Sequence, residues 1–312
     1  MTNISINVVG IGTETYPSGT TPLQILSSTK GISKDALICK VDQVLTDLST
    51  SLTDDATVQF FDGKSKDGHS VLLHSTAHLM AQAVKRLYPK TKVTIGPYLE
   101  NRFYYDFDVE TPFTEQDLLK IEKEMLKISQ ENLEIVHEVK SRKEALKFFK
   151  KIGEDYKVEI INDLDKSEVL KVYAQGDFTD LCRGPHVPST GTIQHFKLLS
   201  SSAAYWRGDE NNQTLQRVYG TSFTSAKDLK KYLLMLEEQK KRDHRKIGKE
   251  LDLYFHDEEV GPGLPLWTPN GAVIIDELEA LAKEKEDLGG YKRVRTPHLT
   301  KGALYEKSGH LE

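Results

Sequence analysis

Apolar and polar positions change their period along the chain, and each change marks out a part. Ile4, Ile6 and Val8 recur at every second residue, as on a strand with one buried face. The stretch "TTPLQILSS" follows, with Pro22 placed to open a short helix and Leu23 and Leu26 expected on one side. "ALICKV" and "TVQFF" read as further strands from their β-branched and aromatic content. Two hairpin-like pieces around one helix predict a small β-grasp unit over 1–62. The polar "DGKSKDGHS" (62–70) reads as a linker.

A larger α+β unit is predicted over 63–225. It opens with the apolar, helix-forming "LLHSTAHLMAQAV", followed by "FYYDFDVE", an alternating aromatic and acidic strand. Thr114 is placed as an N-cap for a helix with Leu118, Ile121, Met125 and Ile128 in one stripe. Ser141 and Glu144 form a capping box for the next helix, packed through Phe148 or Phe149. "YKVEII", "HFKLLSS" and "TLQRVYGTSF" are read as strands. One long helix is expected over 226–250, with Leu229, Leu233 and Leu236 on one side. A helix over 272–288 and a strand stopped by Pro297 come last. One helix and one strand cannot enclose a core, so this last part is expected to be cut short or to need a partner.

Composition narrows the class. Apolar residues make up 38% and charged residues 29%, as in a soluble globular protein, and no stretch is long and apolar enough to span a membrane. Two cysteines, Cys39 and Cys182, make no disulfide framework, and the first residues lack a signal-like pattern, so the cytoplasm is the expected compartment. The sequons at Asn3 and Asn212 carry little weight there, and Gly10 and Gly12 lack the third glycine of a dinucleotide loop. A net charge of −5 is not that of a dedicated nucleic-acid binder, so any basic surface must be local. One such cluster exists: Lys240, Lys241, Arg242, Arg245, Lys246 and Lys249. A helix dipole accounts for one or two cations, and the rest leave a phosphate contact and a solvated helix end open.

Two motifs carry chemistry. His74 and His78 stand four residues apart, on one face of a helix. Far downstream, Cys182 and His186 flank Gly184-Pro185, which puts them on a turn. Paired His and Cys ligands form a zinc pattern, and the same residues suit a hydrolytic site because their proton affinities lie nearest neutral pH. The H-E-x-x-H motif is absent, since Ser75 follows His74. The residues alone leave a metal site and a metal-free pocket open.

In order, "HSTAHLMAQAV", "GPYLENRFYYDFD", "DLCRGPHVPSTGTIQHFKLL", "AAYWRGDENNQTLQRVYGTSF" and "KKRDHRKIGKELDLY" closely resemble the N-terminal half of a bacterial-type threonyl-tRNA synthetase. The resemblance covers nearly the whole chain and implies an α+β, multidomain architecture. Residues 1–62 are similar to the family's TGS β-grasp domain, though "GIGTETYPSGT" lacks its usual "PDG" turn. Residues 63–225 resemble its editing domain, 226–245 its basic linker helix, and 246–312 the beginning of its class II catalytic domain, with a motif 1-like segment.

The implied activity is proofreading by hydrolysis of Ser-tRNA(Thr). His74, His78, Lys157, Asp180, Cys182 and His186 would be catalytic, with His74 positioning or activating water and Lys157 donating to developing negative charge. Asp180 would read the substrate's amino or hydroxyl group, and Tyr105 would lie near the terminal adenosine. Read by context alone, Lys157 is an ion-paired surface residue, Asp180 a loop cap and Tyr105 a core residue. The six clustered cations would contact tRNA(Thr). No metal or cofactor is expected for editing. ATP, Mg and Zn would serve the complete family enzyme, a homodimer, at sites outside this sequence. The alternatives are a non-catalytic tRNA-binding module and a zinc-dependent trans-editing deacylase.

Overall fold

The computed structural model describes residues 2–297 and 299–311, and the chain divides into two compact units, 1–233 and 234–312. The first begins with β1 (Asn3–Val8), β2 (Gly12–Pro17), α1 (Pro22–Ser28), β3 (Ala36–Val41), β4 (Val44–Thr46) and β5 (Ala56–Asp62). Their sheet has the order β2-β1-β5-β3-β4, with β1 and β5 parallel and the other pairs antiparallel. Ile4, Ile6 and Val8 turn inward together with Ile25, Leu26, Leu48 and Val58. In α1 the buried side is Pro22, Ile25 and Leu26, and Leu23 is 36% exposed. Leu23 and Leu26 therefore do not share the covered face: the helix turns Pro22, Ile25 and Leu26 inward, and Leu23 lies outside that face.

α2 (Lys66–Leu87) follows almost at once, so most of the stretch read as a linker is its first turn. Ser65 accepts from the Gly68 amide as N-cap, and Asp67 suits the positive helix end. From Val71 to Val84 nearly every α2 side chain is buried, as expected of a helix covered on all sides. Its cover comes from both directions: Leu37 and Ile38 of the N-terminal sheet on one, Phe103, Tyr105, Phe107, Ile121 and Met125 on the other.

The next elements are β6 (Lys92–Val93), β7 (Tyr98–Leu99), β8 (Arg102–Asp108), α3 (Glu115–Glu131), β9 (Ile135–Lys140), α4 (Arg142–Ile152), α5 (Asp155–Asp163), β10 (Leu170–Gln175), β11 (Phe178–Leu181), β12 (His195–Tyr205) and β13 (Thr214–Phe223). β12-β13-β8-β6 form one antiparallel sheet with β7 added on β8, and β11-β10-β9 form a second. The stripe Leu118, Ile121, Met125 and Ile128 of α3 is buried, and both capping boxes, at Thr114 and Ser141, are present. "YKVEII" is helix α5, not a strand. Tyr156 with Ile160, and Lys157 with Ile161, stand four apart, and Ile161 packs with Ala145 and Phe149 of α4 under β10. That helical packing outweighs the β-branched content of the segment.

The chain enters the second unit within α6 (Ala226–Lys241) and continues with α7 (His244–Glu250), the hairpin β14 (Tyr254–Phe255) and β15 (Leu266–Trp267), α8 (Pro269–Leu288) and α9 (Gly302–Lys307). The single helix expected to 250 is interrupted at Asp243, whose carboxylate accepts from the Arg245 amide and starts α7 afresh. The expected strand before Pro297 is absent: a strand needs a neighbour for its backbone groups, and the described residues supply none there. Among the described residues, no helix is long and apolar enough to cross a membrane.

Candidate active site

α2 sets His74 and His78 one turn apart with their ring centres 5.0 Å apart. The opposite wall begins where β11 ends. Cys182 leaves the strand, the chain turns through Gly184 and a cis Gly184–Pro185 bond, and His186 comes back beside it. Gly184 is required twice over: its φ is +71°, and a Cβ there would lie 1.8 Å from the Tyr173 hydroxyl. The turn delivers Cys182 and His186 onto the helix face that carries the histidines. One donor atom from each of the four side chains then lies within 4.8 Å of the others. Both distant motifs thus meet in one place.

Hydrogen bonds link this group into a chain. Ser75 Oγ lies 3.0 Å from His186 Nδ1 and accepts from the Val187 amide at 3.0 Å. His186 Nε2 lies 3.4 Å from Cys182 Sγ, which also accepts from the Gly184 amide at 3.2 Å. His74 Nε2 lies 2.9 Å from the same sulfur. One proton assignment satisfies the whole chain: Ser75 donates to His186, His186 to Cys182, and Cys182 to His74. Every member is then neutral.

Burial enforces that neutrality. It lowers the pKa of His74, and it places those of His78 and His186 well below the ordinary value, with neighbouring imidazoles adding to the effect. Burial also pushes the Cys182 thiol up to about 12. At neutral pH the site therefore holds three uncharged imidazoles and a protonated thiol. His78 makes no hydrogen bond among the described residues, although its side chain is almost wholly enclosed.

Charge sits one layer away. Lys157 projects from α5 and is 2% exposed, and its Nζ lies 2.5 Å from Asp180 Oδ1. The Leu181 amide donates to the same oxygen at 2.8 Å. Tyr105, on β8, is wholly buried; its hydroxyl donates to Asp180 Oδ2 at 2.6 Å and accepts from Lys157 at 3.1 Å. Burial first, then Asp180, raises the Tyr105 pKa well above its ordinary value, so the phenol keeps its proton. Asp180 Oδ2 also faces His78 Nδ1 at 3.7 Å. The carboxylate thus joins the ion pair to the histidine cluster.

His74, His78, Lys157, Asp180, Cys182, His186 and Tyr105 therefore form one connected constellation. The basic cluster belongs to the second compact unit. There Lys241 and Arg242 pair with Glu238, Arg245 with Asp243, and Lys246 with Glu250. Lys240 and Lys249 have no acidic partner among the described residues. Sequence reasoning missed Ser75 and Asp47. Ser75 stands between the two histidines and on the same helix. Asp47, in the loop after β4, accepts from the His186 amide at 2.7 Å and from the Tyr173 hydroxyl at 2.8 Å.

The donor set of three histidines and one cysteine is one that zinc accepts. Its spacing is that of hydrogen bonds, however. The His74–Cys182 separation of 2.9 Å is shorter than the ~3.5 Å that tetrahedral zinc bonds of 2.0–2.3 Å would set between two ligand atoms. A zinc ion would require these two atoms to part.

Residues 170–219 match the family model described as threonyl and alanyl tRNA synthetase second additional domain, a segment that includes Asp180, Cys182 and His186. A threonine–tRNA ligase from Pelobacter propionicus is 49% identical over 313 residues, covering 100% of this chain and 49% of the relative. One from Geobacillus sp. is 50% identical over 298 residues, covering 95% of this chain and 46% of the relative. One from Listeria monocytogenes is 49% identical over 286 residues, covering 92% and 45%. The chain spans about half the length of the curated relatives it matches. Identity of this order, sustained along nearly every residue present, shows that the chain belongs over its own length to the bacterial threonyl-tRNA synthetase family.

Proposed function

We propose that the pocket between α2 and the Cys182–His186 turn hydrolyses the ester of a mischarged tRNA, with Ser-tRNA(Thr) as substrate. The observation that carries this reading is the meeting of His74, His78, Cys182 and His186 beside the Lys157–Asp180 pair. A synthetic pocket that fits threonine discriminates against serine, one methyl smaller, by only about 1–3 kcal/mol, so faithful charging needs a second, hydrolytic test.

The reaction adds water to the ester carbonyl and expels the ribose oxygen, which takes up a proton, to leave free amino acid and tRNA. Neutral imidazoles are the groups able to take the proton from that water. His74 lies at the partly exposed side of the cluster and is read as the residue that positions or activates it, the Cys182 thiol turning away from His74 Nε2 to free that lone pair for the water's proton. His78 keeps a nitrogen for a water or a substrate group. The Lys157 ammonium stabilises the developing oxyanion, a role that the dry surroundings strengthen. Asp180 reads the amino or hydroxyl group of the bound residue. Tyr105 lies too deep to contact solvent and is read as the brace that aims Asp180 and Lys157.

The wider reading follows the family. Residues 1–62 form a TGS-like β-grasp domain, 63–225 the editing domain, 226–245 the linker helix and 246–312 the beginning of a class II catalytic domain. Lys240, Lys241, Arg242, Arg245, Lys246 and Lys249 contact the tRNA(Thr) backbone. Threonine activation with ATP, Mg and Zn, and pairing into a homodimer, belong to the complete enzyme of the family. Editing is read as metal-free, because His74, Cys182 and His186 already satisfy one another at hydrogen-bond distances.

Deacylation by the purified chain tests the proposal. Ser-tRNA(Thr) should be hydrolysed, Thr-tRNA(Thr) spared, and both results should survive a chelator. Equal rates on the two substrates would remove the specificity claim. The donor set itself favours one second reading, a zinc-dependent deacylase, for which chelation should abolish hydrolysis and metal analysis should find zinc near one equivalent. Salt-sensitive tRNA binding with no hydrolysis at any pH would leave a tRNA-binding module.

A further inference from the structure

Asp47 sits in the loop after β4, beside the N-terminal sheet, yet its carboxylate does its bonding elsewhere. Its backbone is fixed at home: the Asp47 carbonyl accepts from the Thr50 amide, the adjacent Leu48 carbonyl accepts from the Leu23 amide, and the Leu48 side chain lies in the N-terminal core. The side chain, 6% exposed, points away from that core. Oδ1 accepts from the His186 amide at 2.7 Å. Oδ2 accepts from the Tyr173 hydroxyl at 2.8 Å and faces His137 Nδ1 at 3.6 Å. All these partners lie outside residues 1–62. A buried carboxylate is costly unless donors surround it, and here its two hydrogen-bond donors, the His186 amide and the Tyr173 hydroxyl, both lie at the turn that forms one wall of the candidate active site.

The consequences converge on one ring. The His186 imidazole is stacked against His74 at 4.6 Å and packs against His78 at 4.3 Å and Tyr173 at 4.4 Å. Its two nitrogens are committed to Ser75 and Cys182. Asp47 holds the backbone from which this ring projects. Through Tyr173 it also holds the hydroxyl that fills the space above Gly184. One residue of the loop after β4 therefore holds the His186 end of this segment directly and the hydroxyl packed over its Gly184 end.

We propose that Asp47 is a positioning residue of the hydrolytic site, so that the N-terminal domain completes the editing pocket instead of merely preceding it. This rests on the reading of the pocket as an editing site, and the test separates the two. Asp47→Ala, Asp47→Asn and Tyr173→Phe are compared with the exposed control Asp35→Ala in the full 312-residue chain. Two readouts are taken: Ser-tRNA(Thr) deacylation, resolved into kcat and KM, and the NMR shift and hydrogen-exchange rate of the His186 amide.

Asp47→Ala should lower kcat by about 10-fold or more, as small misplacements of catalytic groups do, with KM changed by less than about two-fold. Asp47→Asn keeps an acceptor for the His186 amide and should recover part of the loss. Tyr173→Phe should fall between Asn and Ala, and Asp35→Ala should match the parent. The His186 amide should shift upfield and exchange faster in Asp47→Ala. If that variant fails to fold, the Asn and Phe variants carry the same comparison. An unmoved His186 amide, or a moved amide with unchanged kcat, overturns the proposal. A parent chain with no hydrolysis but a shifted amide in the variants overturns the editing reading and leaves the hold of Asp47 on the turn intact.

Discussion

His74 and Cys182 are the two partly exposed members of the cluster, joined at 2.9 Å, and they are the first residues to change. His74→Ala and Cys182→Ala should each reduce kcat for Ser-tRNA(Thr) by about 100-fold or more, the scale of losing a positioned proton acceptor or its orienter. The Kd for tRNA, measured by filter binding, should stay within about two-fold because neither uncharged side chain neutralises a phosphate. The same imidazoles also make stability depend on pH. Burial lowers the pKa of His74, His78 and His186 below the ordinary 6.5. Once the pH falls below 6.5 the unfolded chain binds protons that the folded chain refuses, so stability declines there and is level above it. Urea midpoints taken from pH 8 to pH 5 should show that plateau and decline, and His186→Gln should make the decline shallower.

At the scale of elements, the two motif halves were legible because each is local: a four-residue spacing on α2, and a glycine-proline turn after β11. Lys157 was not legible without a family resemblance. Its segment is rich in β-branched residues, and only packing against Phe149 and Ala145 makes it the helix α5 that carries the lysine inward. Phe149→Ala should therefore cost about 3–5 kcal/mol in a denaturant titration. It should also weaken deacylation without touching the pocket, by loosening the seat of Lys157. Gly184 shows the opposite relation between sequence and structure. "CRGPH" announces a turn, but the reason for glycine there is a hydroxyl from β10. Gly184→Ala should cost about 1–2 kcal/mol from the left-handed backbone alone, and more from the collision with Tyr173. Its thermal midpoint should fall below that of Gly153→Ala, where nothing occupies the Cβ position.

For the molecule as a whole, the sequence shows its parts more clearly than their dependence on one another. The bond between Asp47 and His186 spans 139 residues, and no periodicity within either segment points to it. Helix α2 was likewise visible as a helix but not as a shared spine, because its first turn is polar and reads as a linker. Charge is divided differently. Four of the six clustered cations are tied to acids, and among the described residues Lys240 and Lys249 have no such partner. Lys240→Glu with Lys249→Glu should weaken tRNA binding similarly for all tRNAs. The salt slope should fall by about one for each phosphate no longer neutralised, read from Kd measured across a salt series.

The burial of α2 also has a consequence during synthesis. A ribosome releases residues 66–87 long before the strands that cover them, since β13 pairs with β8 only through residues 216–220. Until then a nascent chain carries a helix whose residues 71–84 are destined for burial with part of its cover missing, so that Val71, Leu72, Leu73, Leu79, Met80 and Val84 offer the kind of surface that general chaperones retain. Arrest at residue 190 should leave that helix protease-sensitive and chaperone-bound, whereas arrest at 270, with β13 clear of the exit tunnel, should release it folded. The pocket between α2 and the Cys182–His186 turn would thus be among the last features of this unit to exist, assembled only when the polypeptide has returned to a helix it made much earlier.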